Sequence, residues 1–239
     1  MVKYHQKSIS APKSWPLVRK KEVFTVRALP SGQPKQYALP IALFMKGIIK
    51  CANTQKEVKY IIHNKQVLIN GNRVRDEKIP VGLFDVVEIP DLKECYRMFL
   101  DTHGRLIAVK IPEKEKQLNL VRIVGKNDVD KNNCQINGDN GRNILVPKKE
   151  AAQYRCGDSV LFNRSTKKIQ AHLPFKTGCT LFFIGGKSMG MAATLDAVRD
   201  GVIGFTTLKG KAKAETAQRY AVVIGAEKTE ITLPEETHE

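Results

Sequence analysis

The side chains with the clearest chemical potential in this chain are basic, and several of them surround one short turn. Arg73 and Arg75 follow Asn70-Gly71, the dipeptide most typical of a two-residue β-hairpin, because a type I′ turn needs positive φ at both positions. Basic side chains held beside a tight turn suit contacts with phosphate groups. The chemistry that this stretch indicates is therefore binding of a polyanion.

The first element ahead of the turn is a predicted helix. Pro40 suits a first helical turn, and the apolar residues after it recur at helical spacing: Ile41, Phe44, Met45, Ile48 and Ile49. Lys46 and Lys50 lie four residues apart, so they are predicted to share the opposite face of this helix.

The second helix is predicted to begin at a capping box, in which the Thr54 hydroxyl and the Glu57 carboxyl satisfy each other's free backbone amides. Its buried face is supplied by Val58, Ile61 and Ile62. Its exposed basic residues are Lys56, Lys59 and Lys65. After the hairpin, residues 83–89 are predicted to form a further strand.

This order of helix, capped helix, hairpin and strand in residues 39–90 resembles the alpha-L motif, the small RNA-binding fold first named from ribosomal protein S-four. The stretches that carry the resemblance are TQKEVKYIIHNKQVLINGNRVR and VGLFDVVEI. The resemblance implies a concave basic face that binds a structured RNA backbone. The alternative is an ordinary α+β domain whose lysines are only solvated.

The composition agrees with a polyanionic partner. The chain has 40 Lys and Arg against 24 Asp and Glu, which gives a net charge of +16 and a pI of about 9.7. Such a field attracts nucleic acid or anionic membrane. Membrane is the weaker option, because no apolar run approaches the ~18 residues of a spanning helix. The five cysteines are far apart, without a CxxC pair, so neither a zinc site nor secretion is expected.

Residues 1–38 are predicted to form a basic arm without regular structure, because prolines interrupt it and its only acid is Glu22. Two interpretations stay open: a disordered tail, or an arm that orders only on a polyanion with Trp15 and Phe24 as anchors. The basic residues expected to bind RNA here are Lys13, Arg19, Lys20 and Lys21.

Residues 91–172 are predicted to form a central β-rich domain, because short strands recur between turns such as the one before Arg142. Residues 113–120 favour a short helix.

In residues 173–226, the GGKSMG stretch lacks the first glycine of a phosphate-binding loop. It resembles instead a KOW motif, with Lys187 in its turn, which implies an SH3-like β-barrel. Ala193 replaces a glycine usual in that motif. Residues 227–239 form an acidic tail.

No catalytic or metal-binding pattern emerges from the sequence. The five histidines have no metal-ligand spacing, and neither an H-E-x-x-H nor a G-x-S-x-G motif occurs. A uridine-isomerising enzyme with the same amino-terminal fold would show R-L-D, but the nearest stretch is Arg105-Leu106-Ile107. We therefore expect neither catalysis, nor a cofactor, nor a metal.

The order of the segments resembles the small-subunit ribosomal protein S-four-e family of archaea and eukaryotes. The stretches that carry the resemblance are Ala11-Pro12-Lys13-Ser14-Trp15-Pro16, residues 80–86, Gly141-Arg142-Asn143 and Val223-Ile224-Gly225. It implies a non-enzymatic α+β component of the cytoplasmic ribosome, which contacts small-subunit RNA and neighbouring small-subunit proteins without forming homo-oligomers. The alternative is an RNA-modifying enzyme or a ribosome-associated factor.

The residues expected to bind RNA lie in the arm, the helix–hairpin segment and the two strand-rich segments. The complete set is Lys13, Trp15, Arg19, Lys20, Lys21, Lys46, Lys50, Lys56, Lys59, Lys65, Arg73, Arg75, Arg142 and Lys187.

Overall fold

The computed structural model describes residues 5–208, 212–226 and 229–234. Its contacts divide the chain into two compact units: Met1–Leu100 with Arg105–Gln117, and Asp101–Gly104 with Leu118–Glu239. Both units are strand-rich with few helices, and this coarse expectation is confirmed. Among the described residues, no helix combines the length and the hydropathy that a membrane span requires.

Among its described residues, the first unit contains nine strands and two helical segments besides short 3-10 turns. The strands are β1 (Gln6–Lys7), β2 (Phe24–Thr25), β3 (Ala38–Pro40), β4 (Leu68–Ile69), β5 (Asn72–Arg73), β6 (Pro80–Gly82), β7 (Val86–Ile89), β8 (Glu94–Leu100) and β9 (Leu106–Ile111). The helices are α1 (Ile41–Leu43), which continues as a π-helical segment over Phe44–Ile49, and α2 (Gln55–Asn64). The main antiparallel sheet has the order β5-β4-β7-β8-β9, whereas β1 with β2 and β3 with β6 form two-stranded sheets.

The main sheet of the first unit crosses the domain boundary that we predicted at residue 90. Strand β8 pairs with β7 in the register Val86↔Arg97, and β9 pairs with β8 in the register Leu100↔Leu106. The buried guanidinium of Arg97 pairs with Glu115 at 3.0 Å. Because the hairpin β8–β9 completes this sheet, the first structural unit extends to Gln117.

The described part of the basic arm, residues 5–38, packs within the first unit, which differs from both interpretations of the arm, the disordered tail and the arm that orders only on a polyanion. Trp15 is 2% exposed, and its indole N–H donates to the Ala38 carbonyl at 2.9 Å. The backbone N–H of Leu106 donates to the Ser14 carbonyl at 2.8 Å. Burying an aromatic ring of this size outweighs the lack of periodic apolar residues around it.

In the described part of the second unit there are ten strands and one short α-helix, besides a 3-10 turn at Gln218–Tyr220. The helix is α3 (Lys148–Ala151). The strands are β10 (Leu118–Asp128), β11 (Asn133–Gly138), β12 (Asn143–Pro147), β13 (Ser159–Asn163), β14 (Lys168–Leu173), β15 (Thr180–Phe183), β16 (Ala192–Arg199), β17 (Val202–Thr207), β18 (Lys213–Ala217) and β19 (Ala221–Gly225). They form two antiparallel sheets, in the orders β12-β11-β10-β13-β14 and β18-β17-β16-β15-β19.

Alternating residues of the first of these sheets form a core with Tyr154; the core strand residues are Val121, Ile123, Ile136, Ile144, Val146 and Val160. The short helix predicted over residues 113–120 is wrong. Only Glu113–Glu115 form a 3-10 turn, and β10 begins at Leu118. In the predicted acidic tail, Ile231 is buried, whereas residues 227–228 and 235–239 lie outside the described part of the chain.

Candidate nucleic-acid interface

The Asn70-Gly71 turn has the predicted backbone conformation. Asn70 has φ of 50° and Gly71 has φ of 75°, so both positions of the type I′ turn are left-handed. The Asn70 side-chain amide donates to Asp85 Oδ1 at 2.6 Å, and its carbonyl oxygen accepts from the Val86 N–H at 3.0 Å. The turn is therefore bound to the start of β7 and does not project freely.

The outgoing strand of this hairpin presents two arginines on either side of a core residue. Val74 is 2% exposed, and its N–H donates to the Val67 carbonyl at 2.9 Å, whereas Arg73 and Arg75 are exposed. The Arg73 guanidinium also donates to the His63 carbonyl, the last turn of α2, at 3.3 Å. Burial of Val74 thus fixes the outward direction of both arginines.

The capping box of α2 is confirmed. The Thr54 hydroxyl accepts from the Glu57 N–H at 3.2 Å, and the Glu57 carboxylate accepts from the Asn53 N–H at 2.8 Å. These contacts, first the Asn53 amide and then the Thr54 hydroxyl, lower the pKa of Glu57. Lys56, Lys59 and Lys65 are all exposed on the helix or at its end, as predicted.

The helix and the hairpin meet in a groove of about 310 Å³. Its cationic lining residues are Lys59, Arg75 and Lys78, with His63 beside them. Glu77 also lines the groove; it is 7% exposed, its carboxylate accepts from the Gln55 amide at 2.8 Å, and it lies 3.5 Å from the Lys59 ammonium. The buried carboxylate thus connects the start of α2 to the segment after β5.

The other two basic positions near this surface differ from the prediction. The Lys50 N–H donates to the Met45 carbonyl five residues earlier, and Lys50 ends the helix with φ of 59°. A π-helical turn lacks the four-residue repeat of an α-helix, so spacing does not place Lys46 and Lys50 on one face. Lys46 is half-buried and Lys50 is exposed.

Two arm residues serve the fold itself. The buried Trp15 presents no free ring face, and we remove it from the predicted RNA-binding set for this reason. The Arg19 guanidinium donates to the Ala11 carbonyl at 2.8 Å and to the Pro12 carbonyl at 2.7 Å, so its donors hold the arm together. The three lysines of the arm that belong to the predicted RNA-binding set, Lys13, Lys20 and Lys21, are exposed.

The second unit carries the last two residues of the predicted set. Arg142 is half-buried in the turn between β11 and β12, where its carbonyl accepts from the Gly138 N–H at 2.8 Å. Lys187 is exposed between β15 and β16. Neither belongs to the groove formed by α2 and the hairpin.

Sequence reasoning missed two exposed residues of the first unit. Tyr60 is 65% exposed on α2, four residues after Lys56, where an aromatic ring can stack on a base. The sequence could have predicted this position, because Tyr60 is four residues after Lys56 and therefore lies on the same polar face of the amphipathic helix. Lys78 lines the groove but follows two acids in the sequence, which concealed its contribution.

The described residues contain no group of three or more His, Cys, Asp or Glu side chains placed to hold a metal ion. The arrangement that the structure does contain is a helix–hairpin surface with exposed cations. Fold and site together define a basic, strand-rich protein with a surface suited to an extended anion.

Two family models match the chain. The model described as ribosomal family S4e matches residues 92–169, and the RS4NT (NUC023) domain matches residues 2–30. The small ribosomal subunit protein eS4 of Methanocaldococcus jannaschii is 36% identical, over 97% of this chain and 98% of the relative. The eS4 protein of Methanococcus vannielii is 34% identical, over 96% of this chain and 97% of the relative. The chain belongs to the S4e family of ribosomal proteins.

A solved structure supports the fold. The crystal structure of the 30S ribosomal protein S4e from Thermoplasma acidophilum matches with a TM-score of 0.65 and 22% identity. The match covers 81% of this chain and 96% of that chain.

Proposed function

We propose that this chain is a structural constituent of the small ribosomal subunit, that it binds the subunit's RNA, and that it supports assembly and translation. The observation that carries the proposal is similarity over nearly the whole chain to proteins named small ribosomal subunit protein eS4. The net charge of +16 supports RNA as the direct partner. The place of action is the ribosome in the cytoplasm, with neighbouring small-subunit proteins as further partners and no homo-oligomer.

The alpha-L assignment of residues 39–90 is part of this proposal. It is supported by the capped helix α2, the type I′ turn at Asn70-Gly71 and the outward Arg73 and Arg75. RNA phosphates would lie along the exposed surface that carries Lys56, Lys59 and the two arginines. Lys13, Lys20, Lys21, Lys46, Lys50, Lys65, Arg142 and Lys187 complete the proposed RNA-contacting set.

The KOW assignment of residues 173–226 is also a proposal. It is supported by β15 and β16, which pair in the register Leu181↔Ala193 on either side of the glycine-rich turn. A Cβ on Gly185 would lie 2.6 Å from the Tyr220 ring, so this glycine permits close packing inside the unit. Lys187 remains available at the turn.

Sedimentation of ribosomal subunits tests the proposal. A stoichiometric constituent should remain on the small subunit after a high-salt wash and a sucrose gradient. A modifying enzyme or an associated factor should be released by the same wash. Release of this chain while the other small-subunit proteins stay bound would contradict the structural role.

A further inference from the structure

A second cavity of the first unit, of about 520 Å³, has a strongly positive lining. Arg27, Lys35 and Lys78 line it, and none of the described residues around it is acidic. The groove at α2 differs, because Asp76 and Glu77 take part in its lining. The rest of the cavity is largely apolar, with Leu29, Pro30 and Ala38 among its lining residues.

The wall of this cavity is fixed by hydrogen bonds. The Leu29 N–H donates to the Lys78 carbonyl at 3.0 Å. The Gln33 side chain accepts from the Leu83 N–H at 2.7 Å and donates to the Leu83 carbonyl at 3.0 Å. The segment that carries Leu29 and Pro30 is therefore attached at both ends to the segment around β6, and the cavity is already formed.

Lys35 is held at the cavity by the packed arm. Its ammonium donates to the Gln6 side-chain oxygen and lies 5.8 Å from the centre of the Trp15 ring. Burial first, and then the charge of Arg27, lowers the pKa of Lys35. An ammonium carries three donors, so the bond to Gln6 leaves donors for an anion. A bound anion would also relieve the repulsion between Lys35 and Arg27.

We infer that this cavity binds one nucleotide of the RNA, with its phosphate between Arg27, Lys35 and Lys78 and its base or sugar against Leu29 and Pro30. The inference rests on the proposed function, which supplies RNA as the ligand. Ligand cavities commonly enclose about 300–1,000 Å³, which matches the space here. A free phosphate compound has the same anionic chemistry, so the test must separate the two sources.

The first experiment compares two charge-matched variants in filter binding to small-subunit RNA. The cavity variant is Arg27→Gln with Lys35→Gln, because Lys78 also lines the groove at α2. The control is Arg105→Gln with Lys114→Gln, which removes the same two types of charge from exposed positions of the same unit. The cavity variant should lose at least about tenfold more affinity than the control, because charge-assisted contacts add to the general field.

Equal losses in the two variants would overturn the nucleotide site and leave the proposed function intact, since RNA binding would persist through the general field. Failure of the parent protein to bind the RNA would overturn both. Circular dichroism of each variant establishes that it is folded.

The second experiment uses inorganic phosphate as the probe, in thermal melts at constant ionic strength with chloride as the reference. Phosphate should raise the Tm of the parent and of the control more than chloride does, and this difference should disappear in the cavity variant. An equal phosphate effect in all three proteins would contradict the site. If phosphate loses its effect only in the cavity variant, and the cavity variant and the control lose equal RNA affinity in filter binding, the cavity binds free phosphate. That result would overturn the inference of an RNA nucleotide site.

Discussion

The arm's single tryptophan offers the sharpest test of how this fold is stabilised. Trp15 is 2% exposed and bonded to the Ala38 carbonyl, whereas Phe24 in the same arm is 54% exposed. Truncating a buried aromatic side chain to alanine costs about 3–5 kcal/mol. Trp15→Ala should therefore destabilise the first unit by about 3–5 kcal/mol, and Phe24→Ala should cost less than about 1 kcal/mol.

Trp15→Phe separates the ring from its hydrogen bond. The variant keeps most of the packing but leaves the Ala38 carbonyl without the indole donor, which costs about 1–3 kcal/mol. Urea unfolding followed by far-UV circular dichroism is the appropriate assay, because Trp15 is the only tryptophan and its removal abolishes that fluorescence signal. The slope of free energy against urea should stay constant if the compactness of the states is unchanged.

Similar unfolding free energies for Trp15→Ala and Phe24→Ala would refute the packed arm. The arm would then be a surface attachment, and removing it would leave the first unit stable.

Four other perturbations have distinct expected outcomes. Gly71→Val should lower the free energy of unfolding by about 1–3 kcal/mol in a thermal melt, because valine resists positive φ. Arg73→Ala with Arg75→Ala should leave the melting point nearly unchanged but weaken RNA filter binding by about 1–3 kcal/mol. Unchanged RNA binding in this double variant would show that the two arginines do not contact RNA. Tyr60→Ala should weaken RNA binding by about 1–3 kcal/mol while Tyr60→Phe keeps most of it; equal losses would exclude stacking. Burial raises the folded-state pKa of Asp139, so its contribution to stability is present below the unfolded pKa and is lost as pH rises through the folded pKa. Melts across that acidic window should show this loss in the parent and not in Asp139→Asn, and an identical pH slope in both would contradict it.

Local signals predicted the helix–hairpin surface well. The capping box at Thr54 and the turn at Asn70-Gly71 depend on neighbouring residues only, and the structure has both. Each motif satisfies backbone groups within a few residues, so no distant contact can easily override it. The alternation of Arg73 and Arg75 across Val74 follows from the same local geometry.

Two of the differences from the predictions come from long-range contacts, and a third comes from a local change of helix type. Trp15 is buried against Lys35 and against Ala38, which is 23 residues away in the sequence. A single tryptophan has no periodic pattern around it that would predict this burial. The main sheet extends past the boundary predicted at residue 90 because β8 pairs with β7, and no local signal in the sequence predicts that pairing. The prediction that Lys46 and Lys50 share one helix face does not follow, because the helix changes to a π-helical turn there.

Crosslinking of the assembled small subunit tests the central claim most directly. Ultraviolet light joins RNA to contacting side chains, and mass spectrometry then identifies the modified peptides. RNA-linked peptides should come from residues 55–75, which include α2 and the hairpin, and from the exposed lysines of the arm. Absence of links in residues 55–75, with links confined to other parts of the chain, would contradict the claim that this surface binds the RNA.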